Sequence, residues 1–206
     1  MIQMEQNNQS FEKYNEKPAE ITEAEPAEEV KTKEKPGMTS LLYDVVSVFG
    51  TALIIIAIIF TFVVRIVGVD GDSMNNTLFN GDWLLVSAIN TEFHQGDIVI
   101  STQPNSFNEP IVKRVIATGG QTVDIDFQKG EVYVDGEKLD EPYIAEKTRT
   151  MEGVSFPIIV PEGKLFLMGD NRNNSTDSRS PMIGCVDERY ILGIAKCRVT
   201  PNFTTF

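Results

Sequence analysis

One stretch of the chain is apolar without interruption. Val45 to Val64 reads VVSVFGTALIIIAIIFTFVV and holds no charged residue, and Asp44 and Arg65 bracket it. A run of about 20 such residues is what an α-helix needs to cross a bilayer core. The soluble alternative, a buried core helix, normally keeps one polar face, and this run has none. A cleavable export signal would have a shorter leader, a shorter apolar core and a small-x-small site behind it. Here the leader is long, and Arg65-Ile66-Val67-Gly68-Val69-Asp70 follows. The pattern predicts an uncleaved single anchor, taken over 41–67. Lys31, Lys33 and Lys35 precede the run and only Arg65 follows it directly. By the positive-inside rule the N-terminus is then cytoplasmic and the rest of the chain extracytoplasmic.

The two flanks differ. Residues 1–37 are rich in Glu, Lys, Asn, Gln and Pro with few large apolar side chains. Such a segment buries too little surface to offset chain entropy, so 1–40 is predicted to be a disordered acidic tail. Beyond Asp82 the pattern becomes short apolar runs broken by turn residues. Strands are predicted at 83–86, 97–100, 111–117, 122–125, 132–134, 155–160, 164–168 and 191–199. Asp135-Gly136 sits where a two-residue hairpin turn belongs. No long amphipathic helix and no internal repeat is visible. The predicted fold class is mainly β: an antiparallel domain over 68–206 with folded or barrel-like sheets, behind one membrane helix. About 140 residues are enough for one such domain.

Charge and cysteine content narrow the function. The net charge of the 206-residue chain is -12, which argues against nucleic acid, since phosphate contacts need clustered Lys and Arg. Cys185 and Cys197 are the only cysteines. They are too few for a disulfide scaffold, and one disulfide or two free thiols fit equally.

Three segments carry candidate chemistry. Ser73 stands in Gly71-Asp72-Ser73-Met74 just past the anchor, where Gly71 permits an unusual backbone angle. Taken alone, it reads equally well as a polar connecting turn. A serine hydroxyl needs a base to attack an amide. The single histidine, His94, lies in a polar stretch and reads as a surface residue. Lys113 stands in Ile111-Val112-Lys113-Arg114-Val115-Ile116, where strand alternation puts Ile111, Lys113, Val115 and Ala117 on one face. A lysine there is paired, snorkelling or functional. Burial would lower its pKa from about 10.4 and make it a usable base. The third segment, Gly169-Asp170-Asn171-Arg172-Asn173-Asn174-Ser175-Thr176-Asp177-Ser178-Arg179, is too polar for a core strand and reads as a loop ordered by its own hydrogen bonds.

Together these segments resemble type I bacterial signal peptidases, in the single-anchor form common in Gram-positive bacteria. Ser73-Met74-Asn75-Asn76-Thr77-Leu78 is similar to the family's Ser-Met-x-Pro-Thr-Leu, with Asn76 in place of proline. Val112 to Ala117 resembles the segment that carries the family's general base, although Gly119-Gly120-Gln121 replaces the usual Pro-Gly-Asp. The run from Gly169 to Arg179 resembles the signature Gly-Asp-Asn-Arg-x-Asn-Ser-x-Asp-Ser-Arg, the most specific match of the three. The resemblance covers the anchor and nearly all of the outer domain.

The resemblance implies a membrane-anchored serine endopeptidase that removes signal peptides from exported pre-proteins after a small-x-small motif. Ser73 would be the nucleophile and Lys113 the base. Ser175 would hydrogen-bond the Lys113 amine, and Asp177 would pair with Arg172 or Arg179. Some relatives carry an oxyanion-binding serine two residues before the nucleophile. Gly71 stands there instead, which leaves the Ser73 backbone N–H as chief donor. Met74, Leu78, Ile111 and Val112 match positions that line the family's substrate cleft. No metal or cofactor is implied, and a monomer working on pre-proteins at the lipid bilayer is expected. Ser73 lies about nine residues past Val64, a reach of at most roughly 30 Å, so the site should sit near the membrane surface. Two other readings share these features: the self-cleaving stress-response repressors, which are soluble and bind DNA, and an anchored binding protein that keeps the fold without cutting.

Overall fold

Helix α1 (Met38–Phe62) is uniformly apolar, with a mean hydropathy of 2.7 and none of its residues buried against protein. It is long and apolar enough to cross a membrane by length and composition. Two of its threonines bond to the helix itself. Thr51 Oγ1 donates to Ser47 O at 2.8 Å and Thr61 Oγ1 to Ala57 O at 2.7 Å. That removes their need for outside partners, which hydrocarbon does not provide. The computed structural model describes residues 37–89, 92–104 and 109–206. The tail expected over 1–40 lies almost wholly outside them.

The helix stops at Phe62 and a strand follows, β1 (Val64–Gly68). The apolar run therefore holds two elements. Val64, Ile66 and Val67 suit a strand because they are β-branched, and they pair antiparallel with β2 (Trp83–Ser87). The remaining elements are β3 (Ile98–Ser101), β4 (Ile111–Thr118), β5 (Thr122–Asp126), β6 (Glu131–Val134), β7 (Glu137–Lys138), β8 (Ile158–Ile159), β9 (Lys164–Met168), β10 (Val186–Asp187), β11 (Ile191–Thr200) and β12 (Thr204–Thr205), with a 3-10 turn at Glu188–Tyr190. The strand predicted over 155–160 shrinks to β8.

The expected mainly antiparallel β class is observed. The large sheet runs β1-β2-β11-β3-β4-β9-β10, with β12 on β11, and the small sheet runs β7-β6-β5-β8. Among the described residues the end strands of the large sheet, β1 and β10, do not pair with each other, so it is open. Asp135 and Gly136 both adopt positive φ, 52° and 82°, as a tight hairpin between β6 and β7 requires. The Gly119-Gly120-Gln121 turn closes on its own bonds, with Gln121 Oε1 accepting from the Thr118 N–H at 2.9 Å.

Alternation fills both faces of the large sheet. In β3, Ile98 and Ile100 enter one cluster with Met74, Leu78, Leu84 and Val86, while Val99 enters another with Val115, Leu165, Leu167 and Ile194. A third cluster joins the two sheets through Ile116, Ala117, Val123, Val132 and Phe166. β4 departs from simple alternation. Its register against β9 shifts between Val115 and Ala117. Ile111 and Val115 share a cluster as expected, but the irregularity sends Ala117 to the other side with Ile116. Cys185 is a free thiol packed against the third cluster, and Cys197 is a buried free thiol in β11.

Candidate active site

Ser73 sits in the irregular connection between β1 and β2. Gly71 has φ +86°, a left-handed angle that favours glycine, and its N–H is held by Asn80 Oδ1 at 3.1 Å. Two residues on, Ser73 is half-buried and Met74 is fully buried in the core, so the hydroxyl stands on a fixed base. The Asn75–Asn76 peptide is cis.

Lys113 comes from the middle of β4 and is 4% exposed. Its Nζ donates to Ser73 Oγ at 2.7 Å and to Val112 O at 3.1 Å. Burial pulls its pKa down from 10.5 to about 8, against the opposing pull of Asp177 and Glu152. Cationic Lys113 donates to the hydroxyl. Neutral Lys113 at the same distance can accept the hydroxyl proton. About a tenth of the lysine is neutral at pH 7, far more than for an exposed lysine.

The third segment ties the other two together, and Asp170 is the main knot. Arg114 grips it with both nitrogens, Nε to Oδ1 at 2.8 Å and Nη2 to Oδ2 at 2.6 Å, and Thr77 Oγ1 donates to Oδ2. Arg114 is the neighbour of Lys113 and Thr77 belongs to the serine segment, so one carboxylate spans both. Asn171 adds two bonds, its N–H to Ser73 O and its Nδ2 to Asp72 O, both at 3.0 Å. Gly169 lies so close that a Cβ there would be 2.2 Å from Ser175 Oγ and 2.5 Å from Ser73 O.

Asp177 is fully buried and accepts from the Gly169 N–H at 2.9 Å and from Ser175 Oγ at 3.0 Å. Arg179 clamps it with Nε at 2.8 Å and Nη2 at 2.7 Å. One sequence expectation changes here and another narrows to one of its two alternatives. The Ser175 hydroxyl is turned to Asp177 rather than to the Lys113 amine. Of the two candidate arginines, Asp177 takes Arg179. Arg172 pairs instead with Glu141 and donates to Thr148 Oγ1 and Gly169 O. His94 is exposed and approaches only Glu92 and Asp97 among the described residues.

A groove of about 720 Å³ opens over the dyad. Its walls come from residues 67–74, from Ile111 to Lys113, and from 174–176. Met74, Ile111 and Val112 reach it. Leu78, buried in the same core cluster as Met74, does not. Among the described residues, no acceptor takes the Ser73 N–H, and no group of three or more His, Cys, Asp or Glu side chains could hold a metal ion.

Residues 42–200 match the family model described as signal peptidase, peptidase S26. The chain belongs to this family. It is 36% identical over 186 residues to signal peptidase I T of Bacillus subtilis (strain 168), covering 85% of this chain and 93% of that one. It is 34% identical over 165 residues to a signal peptidase I of Bacillus licheniformis, covering 75% and 87%. A crystal structure of a signal peptidase I from Enterococcus faecalis V583 is 30% identical, with a TM-score of 0.42, covering 50% of this chain and 97% of that one. Four residues that bond within this candidate site were not legible as such in the sequence. Asp170, Thr77 and Arg114 lay inside the motifs but had no assigned partner. Glu152, which reaches Arg179 from a distant loop, carried no signal.

Proposed function

We propose that Ser73 and Lys113 are the nucleophile and general base of a signal peptidase I, and that the groove above them holds the signal peptide. The chain is a membrane-anchored serine peptidase that removes signal peptides from pre-proteins. The observation that carries the assignment is the 2.7 Å contact between Nζ and Oγ, made by a buried lysine at the floor of an open groove. Neutral Lys113 takes the hydroxyl proton as Ser73 attacks the carbonyl. The Ser73 N–H, which has no other acceptor among the described residues, faces the developing oxyanion. The lysine ammonium then gives its proton to the leaving amine. Water attacks the resulting ester with Lys113 again as base, and the serine is restored.

The sheet supports a peptide bound in extended form. β4 pairs with β3 from Ile111 onward, but its pairing with β9 begins only at Arg114. Among the described residues, no second strand pairs with 111–113, and these residues line the groove. A peptide strand can add there by backbone hydrogen bonds. Met74, Ile111 and Val112 offer apolar walls, which suits small side chains such as alanine on both sides of an intervening residue. The lysines before α1 support, by the positive-inside rule, a cytoplasmic N-terminus and a groove on the outer side of the membrane. One copy carries nucleophile, base and groove, so the working form is a monomer.

The test is cleavage of a fluorogenic Ala-x-Ala signal peptide by the detergent-solubilised full chain, with Ser73→Ala and Lys113→Ala beside it. Cutting after the small residue, lost in both variants, is expected. Cutting that survives Lys113→Ala would remove the lysine from the mechanism.

A further inference from the structure

Buried charges around the dyad pair off, and two are left over. Arg114 is matched by Asp170, Arg172 by Glu141 and Arg179 by Asp177. Left over are Lys113, which has no carboxylate partner among the described residues, and Glu152, a second carboxylate on the already paired Arg179. Glu152 lies in the loop before β8, and that loop is wrapped around Arg179. Arg179 Nη1 donates to Thr150 O at 3.2 Å, and the Val154 N–H donates to Arg179 O at 3.0 Å. Glu152 Oε1 stands 3.0 Å from Arg179 Nη2, close enough for an ion pair, yet it is buried without a hydrogen bond among the described residues. Its other oxygen takes only a long bond, 3.4 Å, from the Asp177 N–H. Arg179 thus faces two carboxylates, and its two-pronged grip goes to Asp177.

We infer that Glu152 is a positioning residue whose charge, carried against Arg179 and Asp177, governs how readily Lys113 gives up its proton. The inference rests on the dyad proposed above. The groups acting on Lys113 are Ser73 at contact and, through space, Asp177, Glu152, Arg179 and Asp170. Those acting on Glu152 are Asp177, Arg179 and Lys113. Asp177 and Arg179 grip each other with two bonds, as Asp170 and Arg114 do. Glu152 has no such grip, and its carboxyl is pushed up to about 7, first by burial and then by Asp177. With Glu152 ionised, the cluster favours cationic, inactive Lys113. With Glu152 protonated, neutral Lys113 leaves the cluster balanced. The carboxyl therefore works as a remote control on the base and touches no substrate.

Replacing Glu152 by glutamine keeps the shape and removes the charge. The ascending limb of kcat/KM against pH should move to lower pH by about half a pH unit or more, raising activity on that limb roughly threefold. Glu152→Asp keeps the charge and should leave the limb within reach of the wild type. The experiment measures both profiles on the solubilised full chain, together with Tm and with Ser73→Ala and Lys113→Ala. A limb that stays in place in a Glu152→Gln protein of wild-type Tm overturns the inference. If Glu152→Gln is unstable, Glu152→Ala is read by the same criterion. Failure of both neutral variants to fold also overturns it, since it would make Glu152 a scaffold residue. Activity that survives Lys113→Ala would instead sink the dyad itself, so the two failures are told apart.

Discussion

Lys113→Met should abolish cleavage and at the same time stabilise the protein at neutral pH. The reason is the burial that makes the lysine a base. Its pKa is near 8 in the folded protein against 10.5 when free. Each tenfold change in proton affinity is about 1.4 kcal/mol, so holding the charged lysine in the fold costs about 3 kcal/mol below pH 8. Methionine fills a similar volume without that cost. It also forfeits the bonds to Ser73 Oγ and Val112 O, worth about 1 to 2 kcal/mol together. The balance is a gain of about 1 to 2 kcal/mol at pH 7, or roughly 3 to 8 °C in Tm for a domain of this size. Between pH 8 and 10.5 the unfolded chain binds more protons at this position than the folded one. Wild-type stability should therefore rise with pH relative to the variant through that window. The assay is thermal unfolding of both full-length proteins in the same detergent at pH 7 and pH 10. The Tm difference should favour the variant at pH 7 and shrink or reverse by pH 10. A variant that is less stable at pH 7, or a difference that is the same at both values, would refute a lysine held at a desolvation cost.

Other outcomes follow from the same geometry. Since neutral Lys113 is the active form, kcat/KM should climb about tenfold per pH unit from pH 5 and level off near 8; a profile flat from pH 5 to 9 would exclude lysine as the base. Gly169→Ala pushes a methyl group into Ser175 Oγ and Ser73 O, so kcat/KM should fall on the order of a hundredfold through misplacement of the nucleophile; full activity would mean the segment has slack that the structure lacks. Asp170→Ala leaves Arg114 buried without its carboxylate and should cost about 3 to 5 kcal/mol, read as a loss of Tm on the order of 10 °C or more.

The chemistry was more legible in the chain than the way it is supported. Ser73 and Lys113 each depart from their setting, a serine behind a glycine just past an anchor and a lysine in an apolar strand, but the resemblance of their segments to the signal peptidases is what assigns their roles. Most strands were legible because turn residues punctuate them. β1 was not, because Val64 to Val67 continues the apolar run and nothing in sequence separates a helix end from an adjoining strand. Leu78 read as a cleft residue by its place in a motif, yet depth beneath a surface is a property of packing that neighbours in sequence do not encode. The same holds for Ser175. Rotation about a single bond, Cα–Cβ, decides which neighbour its hydroxyl meets, and it meets Asp177, which Arg179 holds in place. Glu152 had no local signal, since its meaning comes from Arg179, far along the chain and reached only by a loop.

The polar run from Gly169 to Arg179 contributes geometry more than stability. Three buried arginine–carboxylate pairs are a costly way to hold a core, because desolvation consumes most of what the ion pairs gain. Apolar side chains of the same volume would hold the space at least as well. They would not join the same atoms. Asp170 reaches Thr77 on the serine segment and Arg114 beside the lysine at once. Asp177 holds the Gly169 N–H, and Gly169 abuts the Ser73 carbonyl with no room for a methyl group. A path of directional contacts thus runs from Arg179 through Asp177 and Gly169 to the residue that must attack. Hydrogen bonds fix angle as well as distance, which packing alone does not. A Ser-Lys pair needs that precision more than a histidine-based site would, because its base is a flexible four-carbon chain with no ring to orient it. The rigidity the lysine lacks is supplied by the charged loop beneath it, and Glu152, reaching Arg179 from the loop before β8, brings a second carboxylate to that network.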